Sequence, residues 1–170
     1  MKTIVTVLLL WLLCALCVLL HELGHALGFR LGGGKGKRKL YVGSGPQLID
    51  TARLRLRLVP VGGYFVPEDD EEPRSKKGRI LMLSGGPLAS LLLTALFAVL
   101  RFALFASADA APETAVDPVY LSAFLLFFNF FQFMFTVLPL RYRLVCRGLD
   151  SDGRQILRLL RHTEEGSPAL

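Results

Sequence analysis

The chain has 170 residues and carries 20 Lys and Arg against 14 Asp and Glu, a formal net charge of +6. Its 52% hydrophobic content and mean hydropathy of +0.47 exclude an ordinary soluble enzyme and fit a single domain dissolved in lipid. Nucleic acid is excluded as a partner, because no aromatic residues interleave with the basic ones and no Lys-Ser or Lys-Thr closes a phosphate loop after Gly32-Gly33-Gly34-Lys35.

The first element is an uncharged run from Thr3 to Leu20 that continues into His21-Glu22-Leu23-Gly24-His25. With that continuation it is long enough to cross a hydrocarbon core, which needs about 20 residues on a helix. The rival reading, a cleaved signal peptide, lacks a small-x-small site before His21. Cys14 and Cys17 fall inside the run and read as small buried apolar residues rather than as a redox pair; together with Cys146 they suggest no disulfide framework.

Positions four apart on a helix share a face, so His21 and His25 can offer both imidazoles to one ion, with Glu22 on the adjacent face. Two histidines leave a third protein ligand to be found and one tetrahedral position open to water. The plain alternative is that the polar trio marks the place where the helix emerges into head groups. Ionisable groups at a helix centre cost roughly 2.5–3.5 kcal/mol each in lipid, which favours a metal as their compensating partner. Gly24 and Gly28 leave a smooth face for a second helix.

Next come a glycine-rich basic connector from Gly32 to Lys39 and the alternating run Arg53-Leu54-Arg55-Leu56-Arg57-Leu58. The alternation predicts a strand with leucines inward and arginines outward. Two readings follow: a small hairpin packed on the helices with Gly62-Gly63 as a turn, or a strand with a free edge open to pairing by a further extended segment. Glu68 to Glu72 and Arg74 to Arg79 read as a solvated linker.

Two further apolar segments give spans at about 3–29, 80–106 and 120–140, a loop at about 31–79 and a tail at 141–170. The loop holds Arg30, Lys35, Lys37, Arg38, Lys39, Arg53, Arg55, Arg57, Arg74, Lys76, Lys77 and Arg79, and the tail Arg141, Arg143, Arg147, Arg154, Arg158 and Arg161, whereas the connection after Arg101 carries Asp109, Glu113 and Asp117. The bias toward positive charge on the cytoplasmic side then predicts a multi-pass protein with its amino terminus outside and its tail inside. The same basic residues suit anionic lipid head groups. In the tail, Asp150 or Asp152 is either the third ligand or an N-cap for a short amphipathic helix starting near Arg154.

These motifs resemble, over nearly the whole chain, the site-2 protease family of intramembrane zinc metalloproteases in its small form without PDZ or CBS domains. The resemblance rests on His21-Glu22-Leu23-Gly24-His25, on Val59-Pro60-Val61-Gly62-Gly63-Tyr64, on Ser84-Gly85-Gly86-Pro87-Leu88-Ala89-Ser90, and on Asn129 to Pro139 followed by Asp152-Gly153-Arg154. It implies an α-helical membrane protein of three transmembrane helices, with a small β-hairpin between the first two and a short amphipathic helix at the end. It also implies Zn2+ held by His21, His25 and Asp152, with Asp150 the fallback, and Glu22 as general base.

The activity implied is hydrolysis of a peptide bond in or next to a transmembrane segment of a membrane protein, in the bacterial inner membrane; with no room for a PDZ or CBS domain, access would be governed by the helices, by a regulatory membrane partner or by prior trimming of the substrate. The chain departs from the family in having Thr136 where the family has Asn before Leu-Pro, and Ser90 for another Asn. Asn129 or Thr136 would then contact substrate or oxyanion. The same departure supports an alternative, a catalytically silent relative that binds membrane clients or metal without cutting.

Overall fold

The computed structural model describes residues 2–67, 73, 75–106, 117–142 and 148–161. The block Glu68 to Glu72 with Arg74, the acidic Asp109 and Glu113, and the tail residues Arg143, Cys146 and Arg147 lie outside the described residues. Element order is helix α1 (Lys2–Leu31), strands β1 (Arg38–Asp50) and β2 (Leu54–Pro67), and helices α2 (Lys76–Ala106), α3 (Pro118–Val137) and α4 (Asp152–Arg161). Helices α1, α2 and α3 are each long and apolar enough to cross a membrane. The first starts one residue before the expected span and ends two after it, the second starts four earlier, and the third ends at Val137 because Leu138 precedes Pro139 and is forced extended.

Each helix end is fixed by its own residues. Helix α1 runs without Pro or Gly until Gly24 and stops in a Schellman turn, where Gly33 takes a left-handed φ of 87° and Gly34 N–H donates to Phe29 C=O at 2.8 Å. Ser75 caps α2, its hydroxyl accepting from Gly78 N–H at 3.0 Å. Asp117 caps α3, its carboxylate accepting from Val119 N–H at 2.8 Å, with Pro118 in the first turn.

Helices α1 and α2 pack backbone to backbone. A Cβ on Gly24 would strike the Gly85 carbonyl, one on Gly28 the Leu81 carbonyl, and one on Gly32 the Gly78 carbonyl; Gly85 and Gly78 would strike back at Gly24 and Gly32. The smooth face expected from Gly24 and Gly28 is therefore occupied, in antiparallel register, by the backbone of α2 at Gly85, Leu81 and Gly78. Toward the start of α1, Cys14, Cys17 and Leu125 form a buried apolar cluster with Leu93 and Phe97, so both cysteines are core residues. Toward its end, Phe29, Met82 and Leu83 form a second cluster that also packs against Phe65 of β2 and Ile156 and Leu159 of α4.

The two strands pair antiparallel, but both are folded over, and this changes three expectations. Leu40, Tyr41 and Val42 pair with Phe65, Tyr64 and Gly63 on one side and with Leu54, Arg55 and Leu56 on the other, while Leu56 and Arg55 also pair with Ile49 and Asp50. Left-handed Gly43, Gly45 and Gly62 permit the bends. Gly62-Gly63 is consequently part of β2 rather than the turn; the turn is Thr51 to Arg53, where the Thr51 hydroxyl accepts from Leu54 N–H at 3.0 Å. Arg55 and Leu56 are flanked on both sides, so no free edge exists there for a substrate strand.

The division into inward leucines and outward arginines fails as well. Leu58 is exposed whereas Arg55 is half-buried, because its guanidinium lies 5.3 Å from the Tyr41 ring, itself stacked on Tyr64, and binds Asp50. Arg55 and Lys39 hold the Asp50 carboxyl down to about 2. The expected flexible connector ends early, since Arg38 and Lys39 already belong to β1. The sheet lies along α1, with Trp11 Nε1–H donating to Leu58 C=O at 2.5 Å and Phe29 against Phe65.

Replacing Gly85 by Leu should separate α1 from α2. Overpacking in a close-packed interior costs about 1–3 kcal/mol when side chains can give way, and here the obstacle is backbone, so a loss at or above that range is expected. Thermal unfolding of the detergent-solubilised protein tests this, with Val99→Leu, at a position of α2 that is 69% exposed, as the mild comparison.

Candidate metal centre

His21 and His25 lie one turn apart on α1, both buried, with ring centroids 5.0 Å apart. Each ring is held from behind by α2. The Met82 carbonyl lies 2.9 Å from His25 Nδ1, and since a carbonyl can only accept, Nδ1 carries the proton and Nε2 keeps its lone pair. His21 Nδ1 lies 2.8 Å from the Ser90 hydroxyl, and Ser90 is completely buried. Both Nε2 atoms are thus turned to the same side. Partners on the far nitrogen of this kind fix ring orientation and tautomer at metal sites.

The third group comes from the start of α4. Asp152 Oδ2 stands 3.5 Å from His25 Nε2 and 4.0 Å from His21 Nε2, and one ligand atom from each of the three residues lies within 4.8 Å of the others. Neither aspartate is the helix cap. Ser151 takes that role, its hydroxyl lying 3.3 Å from Arg154 N–H, accepting from Leu140 N–H at 3.0 Å and donating to Leu138 C=O at 2.6 Å. A single buried hydroxyl therefore ties the end of α3 to the beginning of α4, and the following residue is Asp152.

Asp150 is drawn the other way. Its carboxylate pairs with Arg154 at 3.3 Å and with Arg158, so among the described residues only Asp152 joins the imidazoles. Gly153 sits against the Val137 carbonyl where no Cβ fits, which lets α4 begin close under α3.

The residues present fit a divalent ion. A tetrahedral zinc with donors about 2.0–2.1 Å away needs those donors roughly 3.3 Å apart, and the His25 to Asp152 separation of 3.5 Å is on that scale. Gly86 of α2 supplies the space: a Cβ there would enter the gap at His25 Nε2 and His21 Nε2. Two neutral imidazoles and a carboxylate are a donor set that zinc favours.

Glu22 flanks this gap. It is 2% exposed, and its Oε2 has no hydrogen-bond partner among the described residues. The strand above it is Gly63, where a Cβ would reach Glu22 Oε1 at 2.5 Å. The Gly62-Gly63-Tyr64 segment thus roofs the carboxylate at backbone thickness. Such a buried, unpaired carboxylate is costly unless something that it can bind comes into the cavity.

The hydrogen-bond donors of the two side chains expected near substrate are already engaged, while Asn129 Oδ1 is buried without a partner among the described residues. Asn129 is completely buried, donating to Leu125 C=O at 2.8 Å and to Cys17 Sγ at 3.3 Å, one turn before His21. The Thr136 hydroxyl lies 3.0 Å from both the Gln132 and the Phe133 carbonyls of its own helix, to which it donates. Sequence reasoning missed the second tier: Met82, Gly86 and Ser151 gave no signal by themselves, and Ser90 stood out only as a replaced Asn.

Three apolar helices, a His-His-Asp cluster with both histidines buried and a buried glutamate at its edge define a membrane-embedded metalloprotease-type protein. A family model described as Peptidase family M50 matches residues 9–161. The chain belongs to that family, the site-2 protease family of membrane metalloproteases. No curated protein matches the chain in sequence.

Loss of a group that orients a metal ligand typically weakens metal binding about 10–100-fold. Ser90→Ala, which frees the back of the His21 ring, should fall in that range in a zinc competition titration against a chelator. Ser151→Ala should do the same, because Asp152 loses its fixed position. Asp150→Asn should leave zinc affinity within a few-fold of wild type, a small change by the same standard.

Proposed function

We propose that this chain is a zinc metalloendopeptidase that hydrolyses a peptide bond in or beside a transmembrane segment of a membrane-protein substrate. The observation that carries the reading is the convergence of His21, His25 and Asp152 on the gap left by Gly86, with Glu22 buried and unpaired at its edge. His21, His25 and Asp152 would hold the ion, which when bound supplies Lewis acidity that lowers the pKa of a water and polarises the scissile carbonyl. Glu22 accepts the proton of the attacking water and returns it to the departing amine, so that a carboxylate and an amine replace the amide. The Gly63 roof keeps Glu22 out of bulk water and within reach of that proton.

The location that fits is the bacterial inner membrane, with three spans, the amino terminus outside and the tail in the cytoplasm. The arginines and lysines of the segment between α1 and α2 and of the tail favour that orientation. The partners are the lipid bilayer, a transmembrane substrate and a regulatory membrane protein; nucleic acid is not among them. A second reading has one specific observation in its favour. The Thr136 hydroxyl is spent within its own helix, and a relative without an oxyanion donor would bind metal or clients and cut nothing.

Purified wild type, Glu22→Gln and Asp152→Asn, assayed for bound zinc and for cleavage of a membrane-anchored reporter, separate the two. The protease reading expects Glu22→Gln to keep zinc and lose activity by about 10²–10⁴-fold, and Asp152→Asn to lose much of both. Zinc held equally by all three proteins removes Asp152 from the ligand set. Zinc binding by a wild type that leaves all reporters intact supports the silent relative.

A further inference from the structure

Helix α4 holds the proposed third ligand at its first position and continues for nine residues beyond it, with two faces that the metal site does not use. At about 100° per residue, its side chains sort into three sectors. Ile156 and Leu159 face inward and pack on the Phe29, Met82 and Leu83 cluster, and Asp152 shares their side of the helix. Leu157 and Leu160 form the next sector and are exposed, Leu160 at 49%, on the rim of an apolar groove lined by Ser84, Pro87, Val137 and Gly153. Beyond the leucines lie Arg154, Arg158 and Arg161, with the Arg158 side chain 56% exposed.

That sequence of sectors, protein then leucine then arginine, is what a helix needs to lie at a bilayer surface with its leucines among acyl chains and its guanidiniums at head-group level. The three apolar helices place such a surface beside it, and Phe29, against which α4 packs, is two residues from the end of α1. A neutral head group would satisfy the leucines but not the arginines. Arg154 and Arg158 share one carboxylate, Asp150, and Arg161 follows one turn later at the exposed end. Among the described residues, three cations facing one anion leave an excess of positive charge on this face, which selects for anionic lipid.

From this we infer that α4 is an in-plane docking surface for anionic phospholipid head groups, recognised by Arg154, Arg158 and Arg161, and that docking steadies Asp152 against His21 and His25. The inference rests on the reading of Asp152 as a metal ligand and adds a regulator to it, the charge of the surrounding membrane. The coupling is mechanical. Asp152 is the first residue of a short rod that is anchored on one side by Ser151 and Ile156, and head groups bound at Arg158 and Arg161 fix its other end.

The test uses the full chain carrying Glu22→Gln, so that nothing depends on cleavage, reconstituted in phosphatidylcholine vesicles with or without phosphatidylglycerol. Zinc affinity is measured by chelator competition, and a tryptophan reporter, Leu160→Trp in a Trp11→Phe background, is read by quenching from brominated phosphatidylglycerol. The expected results are strong quenching by the brominated anionic lipid and zinc binding roughly tenfold tighter when phosphatidylglycerol is present, with that gain abolished by Arg158→Gln with Arg161→Gln. Equal zinc affinity in both vesicle types, or a gain that survives the double substitution, overturns the coupling. A reporter quenched by aqueous acrylamide and untouched by brominated lipid overturns the docking itself. Zinc that fails to bind in either vesicle type condemns the metal-site reading instead, and lipid quenching still reports on the surface separately.

Discussion

The contact on which everything else depends is the backbone approach of α1 to α2. Between helices in lipid there is no hydrophobic gain from burying one apolar face on another, so close van der Waals packing and weak Cα–H···O contacts must hold them. Glycine at 24, 28 and 32 against Gly85, Leu81 and Gly78 lets three successive turns meet at carbonyl distance. The chemistry follows from that depth. Only at this separation can a backbone carbonyl of α2, Met82, reach the far nitrogen of His25, and only a short hydroxyl such as Ser90 fit behind His21.

The same approach explains why three ionisable residues can be buried next to one another. His21 and His25 have their outer nitrogens satisfied by α2, and their inner nitrogens look into the space opened by Gly86. Glu22 remains, with one oxygen unpaired, under Gly63. Glycine thus acts twice around the site for opposite ends: between the helices it brings atoms together, and at positions 86 and 63 it keeps volume free. Any larger residue at 86 would fill the place of a cation.

How far this was legible in the sequence follows from the kind of signal each feature leaves. His21 and His25 declare themselves through helical spacing, and Gly24 and Gly28 through the same spacing, since both are periodic patterns within one element. The sheet was half legible. Alternation at Arg53 to Leu58 marks a strand, but its partners depend on the bends at Gly43, Gly45 and Gly62, which place Arg55 and Leu56 between two neighbours. A glycine pair in sequence is equally a turn or a bent strand, and only pairing with β1 decides. Met82 was silent, and Ser90 and Gly86 stood in a recognisable motif without showing their roles, for another reason: those roles are set by what α1 presents across the interface, which no local pattern encodes.

The two tail carboxylates show how context selects one of two chemically identical groups. Without the family resemblance, which favours Asp152, both Asp150 and Asp152 read in sequence as either a ligand or a cap. Ser151 between them removes the cap role from both, because its hydroxyl already serves the Arg154 N–H and ties down Leu138 and Leu140. Arg154 and Arg158 follow Asp150 at four and eight residues, helical spacings that put both guanidiniums on its side of α4. Asp150 is thereby neutralised away from the imidazoles, and among the described residues Asp152 faces them without a competing Lys or Arg. The arginines that appear from the sequence alone to mark only the side of the membrane also decide which carboxylate reaches the metal site.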